Sequence, residues 1–267
     1  MTGLVVVAAD VFSRSAVDVT VGVVGEWKLL RPGRWVASYE VDGEAVARKL
    51  VAELRNAGHP AVAGPPDEAR AIAWNKLNRP TPIGGRAEVC FPWIGSNAEI
   101  VIEIDPGVGF GTGGHPSTRL LLEELASAIK GNESVLDVGC GSGVLAIASV
   151  CFGAECAMGI DINAAGLVAA KTNACRNQIA DQTEFSSMSL TEISGTYDVV
   201  VANIHDDVLR EMAEDLVARL APNGWLGLSG VSPAQLSRLR GAFPQITFGE
   251  PRKMGDWNAL IGRRQIE

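Results

Sequence analysis

Between Asp137 and Gly143 the chain reads Asp-Val-Gly-Cys-Gly-Ser-Gly, and eighteen residues past Gly143 stands Asp161, in Gly-Ile-Asp-Ile. Glycines at this density let the backbone turn sharply and approach a ligand closely, with the N–H groups of a following helix aimed at it. An acid at the end of the next strand can accept hydrogen bonds from both hydroxyls of a ribose. Together they point to a nucleotide-like ligand at the carboxyl edge of a sheet. Gly141, Gly143 and Ala146 also satisfy the G-x-G-x-x-A form of the dinucleotide fingerprint, so a nicotinamide or flavin cofactor fits the glycines alone. Asp137 favours a different cofactor. Two residues before Gly139 it makes D-x-G-x-G, which matches a site for S-adenosylmethionine (AdoMet). An acid there can meet a cationic methionine moiety, whereas it would repel a pyrophosphate. Asp137, Gly139, Gly141 and Asp161 are the expected cofactor contacts.

Such residues need strands to carry them. SVLDVG ahead of the glycines reads as a buried strand, 144–152 as a helix, ECAMGIDI as a strand ending at Asp161, and 163–177 as a helix capped by Asn163. TEFSS, YDVVVANI and GWLGLSGV are further strands, with helices expected over DDVLREMAEDLVARL and from Pro233 to Phe243. Pro116 opens a helix that Gly131 closes. The closing ITFGEPRKMGDWNALIGRR places a Met254-Gly255 turn between two alternating segments and reads as an antiparallel hairpin. This alternation predicts an α/β fold with a doubly wound, mostly parallel seven-stranded sheet. Nearer the N-terminus LVVVAADV, SAVDVTVGV and RWVASYEV read as β segments, and 43–58 as a helix burying Val46, Leu50, Val51 and Leu54. The breaker-rich GHPAVAGPPDE marks a boundary, giving a small α+β domain over 1–72 and a second domain over 73–267.

Composition removes other function classes. A chain of 267 residues with 20 % charged side chains folds and can bury two cores. The uncharged stretch Val138 to Ala154 holds four glycines and is too short for a membrane span. No basic leader precedes the first apolar run, so a cytoplasmic protein is expected. A net charge of −8 argues against a protein that tracks nucleic-acid phosphates. Five cysteines without a C-x-x-C pair, beside three histidines, assemble no zinc spacing, so reduced buried thiols and no metal are expected. Residues 1–100 carry eleven basic and eleven acidic side chains, so the whole excess of acid lies in 101–267.

Upstream of the glycine turn runs Asp105-Pro-Gly-Val-Gly-Phe-Gly-Thr-Gly-Gly-His-Pro-Ser-Thr118, five glycines in ten residues followed by a helix start. DPGVGFGTGGHPST, DVGCGSG, GIDI, VVANI and LGLSG stand in the order and spacing of the bacterial ribosomal protein L11 lysine methyltransferase family, which the chain resembles from residue 74 to 264. The resemblance implies a class I methyltransferase fold whose small N-terminal domain presents a protein substrate. It implies AdoMet contacts at Thr118, Gly139, Asp161 and Asn203, with Phe110 and Thr112 closing over the methionine end. The implied reaction adds methyl groups to amino groups of a basic protein, a ribosomal protein of the family's type. A lysine nucleophile must first lose a proton, at a cost of about 4.6 kcal/mol at pH 7 from a reference pKa near 10.4. Asn203 would orient the resulting lone pair and is the expected catalytic residue.

The family continues after Asn-Ile with small or apolar residues, whereas this chain has His205-Asp206-Asp207. His205 either faces the substrate, as a contact or proton acceptor, or simply starts a helix, and the two aspartates either favour that helix N-terminus or attract a lysine-rich partner. A small-molecule or peptide methyltransferase is the alternative reading. Trp74, Trp93 and Trp257 recur in the family pattern and are expected to pack rather than to stack on bases.

Overall fold

The computed structural model describes residues 3–9, 14–22, 28–31, 34–57, 61–64, 80–92, 94–105 and 113–264. Its contacts divide the chain into two compact units, Met1–Pro80 and Thr81–Glu267. The boundary expected after residue 72 falls outside the described residues.

The first unit runs β1 (Gly3–Ala9), α1 (Arg14–Val21), β2 (Lys28–Arg31), β3 (Arg34–Val41), α2 (Glu44–Asn56) and β4 (Ala61–Gly64). Its antiparallel sheet has the order β2-β3-β1-β4. Val5, Val7, Val17, Tyr39 and Leu54 form its core. SAVDVTVGV, read above as a strand, is mostly the helix α1. Val17 and Val21, four apart, pack on the core while Val19 is exposed, so helical spacing wins over the alternation of valines. The Tyr39 hydroxyl donates to Asp18 Oδ1 at 2.6 Å and ties the helix to β3. In α2 the expected Val46 is half exposed and Ala47 takes its place beside Leu50, Val51 and Leu54.

In the second unit β5 (Thr81–Ile83), β6 (Ala87–Cys90) and β7 (Ile100–Glu103) make a three-stranded sheet. There follow α3 (Pro116–Ala128), β8 (Ser134–Val138), α4 (Val144–Cys151), β9 (Cys156–Ile160), α5 (Ala164–Arg176), β10 (Thr183–Ser186) and β11 (Tyr197–Asn203). The chain continues through α6 (Asp206–Glu211), α7 (Ala213–Ala218), β12 (Leu220–Val231), α8 (Leu236–Gly241), β13 (Ile246–Phe248), β14 (Arg252–Met254) and β15 (Trp257–Arg264).

The large sheet has the order β10-β9-β8-β11-β12-β15-β13, parallel from β10 to β12 and antiparallel at β15. Its last hairpin joins β14 to β15, so the sheet has eight strands rather than seven. Val199 and Val201 face one apolar layer with Leu121 and Ile147, while Val200 and Ala202 face the other with Leu209 and Leu216. A strand buried on both faces reads as a continuous apolar run, as YDVVVANI does. The long helix expected over 206–220 is two short ones, interrupted at Met212. Parallel register sets Asp137 of β8 beside Gly159 of β9 and Val201 of β11. The carboxyl ends of β8, β9 and β11 therefore lie side by side, and Asp137, Gly139, Gly141, Asp161 and Asn203 lie at that edge.

Candidate active site

The turn after β8 takes three left-handed glycines, Gly139 (φ 75°), Gly141 (φ 52°) and Gly143 (φ 79°). At Gly139 a Cβ would lie 2.4 Å from Ile204 Cγ2, so the close approach of the β11 turn also demands glycine. Gly139 N and Cys140 N both donate to Ile160 O, at 2.8 and 3.0 Å, which joins the turn to the end of β9. Asp161 then reaches back. Its Oδ2 accepts from Gly141 N and its Oδ1 from Asn163 N, each at 2.8 Å, so the carboxylate is oriented before any ligand arrives. Asn163 caps α5 as expected, accepting from Ala165 N and Gly166 N.

A cavity of about 500 Å³ opens along this edge. Asp137, Gly139, Gly141, Asp161 and Asn203 line it, with His205 and Thr118 also on its wall. Asp137 is 1 % exposed. Its Oδ2 accepts from Ala146 N at 3.2 Å, while its buried Oδ1 has no hydrogen-bond partner. Burial pushes its carboxyl from an ordinary 3.8 up to about 7; the Ala146 N–H opposes that shift and the charge of Asp161 adds to it. An orphaned buried acceptor on a cavity wall suits a ligand that brings a cation or an N–H donor. The described lining holds two carboxylates and neither Lys nor Arg, which suits a ribose and a cation and disfavours a pyrophosphate.

Asn203 closes β11, and its Nδ2 donates to Thr118 Oγ1 at 3.0 Å from a helix 85 residues away in sequence. Thr118 is buried on the first turn of α3, a turn capped by His115, whose Nδ1 accepts from Ser117 N at 3.3 Å. His115 in turn lies edge-on to Trp257, ring centroids 5.0 Å apart. Gly230 in β12 lies behind Asn203: at φ 88° a Cβ there would come 3.1 Å from Asn203 Oδ1 and 2.7 Å from Ile204 O.

His205 takes the N-cap position of α6 with no side-chain capping bond, is exposed, and lines the cavity. Its two acidic neighbours do not form an open acidic patch. Asp206 is buried, its Oδ2 bridged by Arg210 Nε at 3.3 Å and by Arg238, and Asp207 also pairs with Arg210. Their charges are met within the protein, so the expected pull on a lysine-rich partner does not rest on this pair.

Phe110, Thr112, Trp74 and Trp93 lie outside the described residues. The structure also adds Ile162, Met188 and Val208, exposed apolar side chains on the cavity wall. Ile162 follows Asp161 directly, where a flat base beside the ribose would need an apolar surface. Its signal was an apolar residue placed just past a strand end. Among the cysteines, Cys90 and Cys140 are buried as expected, but Cys156 and Cys175 are exposed. Among the described residues no group of His, Cys, Asp and Glu could hold a metal ion.

A family model described as ribosomal protein L11 methyltransferase (PrmA) matches residues 42–265. A ribosomal protein L11 methyltransferase of Pelobacter propionicus is 36 % identical over 202 residues, 72 % of this chain and 65 % of that protein. One from Geotalea daltonii is 37 % identical over 218 residues, covering 76 % of this chain and 69 % of its own length. The chain thus spans slightly less than two thirds of the first of these curated relatives. The crystal structure of ribosomal protein L11 methylase from Lactobacillus delbrueckii subsp. bulgaricus superposes with a TM-score of 0.63 at 27 % identity, over 71 % of this chain and 100 % of that one. A methyltransferase from Pyrococcus furiosus shares the fold, with a TM-score of 0.52 at 19 % identity over 62 % of this chain and 90 % of that one.

Proposed function

The chain belongs to the ribosomal protein L11 methyltransferase (PrmA) family, and on that premise we propose that it transfers methyl groups from AdoMet to amino groups of ribosomal protein L11. Lysine side chains and the N-terminal amine are the acceptors proposed. The observation that carries this reading is a single cavity edge bearing an unpartnered buried oxygen of Asp137, the oriented carboxylate of Asp161 and the Asn203–Thr118 pair.

In this reading Asp161 takes the ribose hydroxyls, and Asp137, Gly139, Gly141 and Thr118 take the methionine end, completed by Phe110 and Thr112. When bound, AdoMet supplies an electrophilic methyl group on a positively charged sulfur. Transfer by in-line displacement asks the protein chiefly for alignment and exclusion of water. Asn203 provides the alignment: with Nδ2 committed to Thr118, its Oδ1 can accept an N–H of the incoming amine and direct the lone pair. Gly230 leaves the room that this oxygen needs. His205 stands at the mouth on the substrate side. No helix among the described residues is long and apolar enough to cross a membrane.

The test is methyl transfer from labelled AdoMet to purified ribosomal protein L11, with total ribosomal protein and a small-molecule extract as parallel acceptors. Label on L11, read by mass spectrometry as steps of one methylene, is the expected result. Label only in the small-molecule fraction would select the alternative substrate class, and no label anywhere would overturn the reading.

A further inference from the structure

The outer edge of β7 faces a helix. β6 takes one edge of this strand, with Ile104 N donating to Cys90 O at 2.8 Å beyond the last paired residue. The other edge presents the backbone of Glu103 and Asp105, and a helix has no free backbone groups along its flank to meet them. Two side chains of α5 and its C-cap do so instead. Asn177 Oδ1 accepts from Glu103 N at 2.8 Å and Asn177 Nδ2 donates to Glu103 O at 2.7 Å. Asn173 repeats the pattern on Asp105, accepting from its N and donating to its O, both at 2.9 Å. Four residues along a helix rise about 6 Å and two along a strand about 6.6 Å, so amides at 173 and 177 match backbone groups at 103 and 105.

Asn173 does more than seal an edge. It is wholly buried, and its second amide hydrogen goes to Ser142 O, at 3.0 Å, inside the glycine turn. The same flank of α5 lies against that turn, where a Cβ on Gly166 would come 3.2 Å from Gly141 O and one on Gly143 2.9 Å from Ala170 Cβ. Gly141 N is the donor that orients Asp161. One amide therefore fixes both the turn that sets the Asp161 carboxylate and the residue from which the glycine-rich run 106–112 departs.

We propose that Asn173 is a positioning residue of the cofactor site, setting the glycine turn through Ser142 O, whereas Asn177 serves the β7 edge and the end of α5, its Nδ2 also donating to Asn173 O at 2.8 Å. The proposal rests on the reading of this cavity as an AdoMet site. It is tested by titrating AdoMet calorimetrically into the full-length wild type, Asn173→Ala and Asn177→Ala, with the melting temperature of each. Loss of the Ser142 bond should weaken AdoMet binding about tenfold, the effect of one to two net hydrogen bonds. In steady state the KM for AdoMet should rise by a similar factor, with kcat and the KM for the protein acceptor changed much less. Asn177→Ala should lower the melting temperature comparably yet bind AdoMet within about twofold of wild type. Wild-type affinity in Asn173→Ala, or equal weakening in both variants, would overturn the proposal. Should an alanine variant fail to fold, the Asn173→Ser and Asn177→Ser pair is read by the same criteria. A wild type that fails to bind AdoMet would instead overturn the functional reading itself.

Discussion

Replacing Asp137 by Asn removes the charge of the buried carboxylate while keeping its shape. The side chain retains an oxygen for the Ala146 N–H that Asp137 now meets at 3.2 Å, but nothing titrates. In the cofactor-free protein, burial, opposed by that N–H and assisted by Asp161, holds the Asp137 carboxyl at about 7 rather than 3.8. A folded-state value above the unfolded one means that the native protein binds more protons between the two. The stability this group contributes is therefore whole below the unfolded value of 3.8 and declines as the pH rises to about 7. Between about pH 5 and about pH 8 the decline works out at about 2.6 kcal/mol. Urea unfolding of cofactor-free wild type and Asp137→Asn at both pH values isolates it, since groups that do not interact with Asp137 cancel in the difference. The variant should gain about 2 to 3 kcal/mol on the wild type between the lower and the higher pH. A difference that does not change with pH would show that Asp137 is not a desolvated, unpartnered carboxylate, and the argument for a cation-binding wall would fail with it.

The same carboxylate predicts that AdoMet binding near pH 6.5 releases a proton, because a cation beside Asp137 lowers its pKa; calorimetric enthalpies that do not vary with buffer ionisation would contradict this. Asp161→Ala loses two backbone donors' acceptor as well as the ribose contact, and AdoMet affinity should fall on the order of a hundredfold. Unchanged affinity by calorimetry would refute the ribose assignment. Asn203→Ala should keep most of the cofactor affinity while kcat falls on the order of a hundredfold, and normal turnover would remove its orienting role. Gly139→Ala combines φ 75° with a contact 2.4 Å from Ile204 Cγ2 and should cost about 1 to 3 kcal/mol in urea unfolding.

What the residues determined by themselves is local. The glycine turn, the Asn163 cap, the apolar strands SVLDVG and YDVVVANI and the acid at the end of β9 are each written within a few neighbouring positions, where periodicity and φ requirements act. The same locality explains the errors: alternating valines in SAVDVTVGV fit a strand and a helix face alike, and only packing of Val17 and Val21 chose. Tertiary structure decided what meets what. Packing of helices on the sheet brought Thr118 to Asn203 across 85 residues, buried Asp137 with one oxygen unpaired, and enclosed Asp206 between two arginines. Asn173 carries no motif that names its partners, because its hydrogen bonds go to the backbones of Asp105 and Ser142, whose sequence identity does not matter. Chemistry that depends on side-chain type was visible in the chain; chemistry that depends on burial and on backbone partners arose only when the strands were laid side by side.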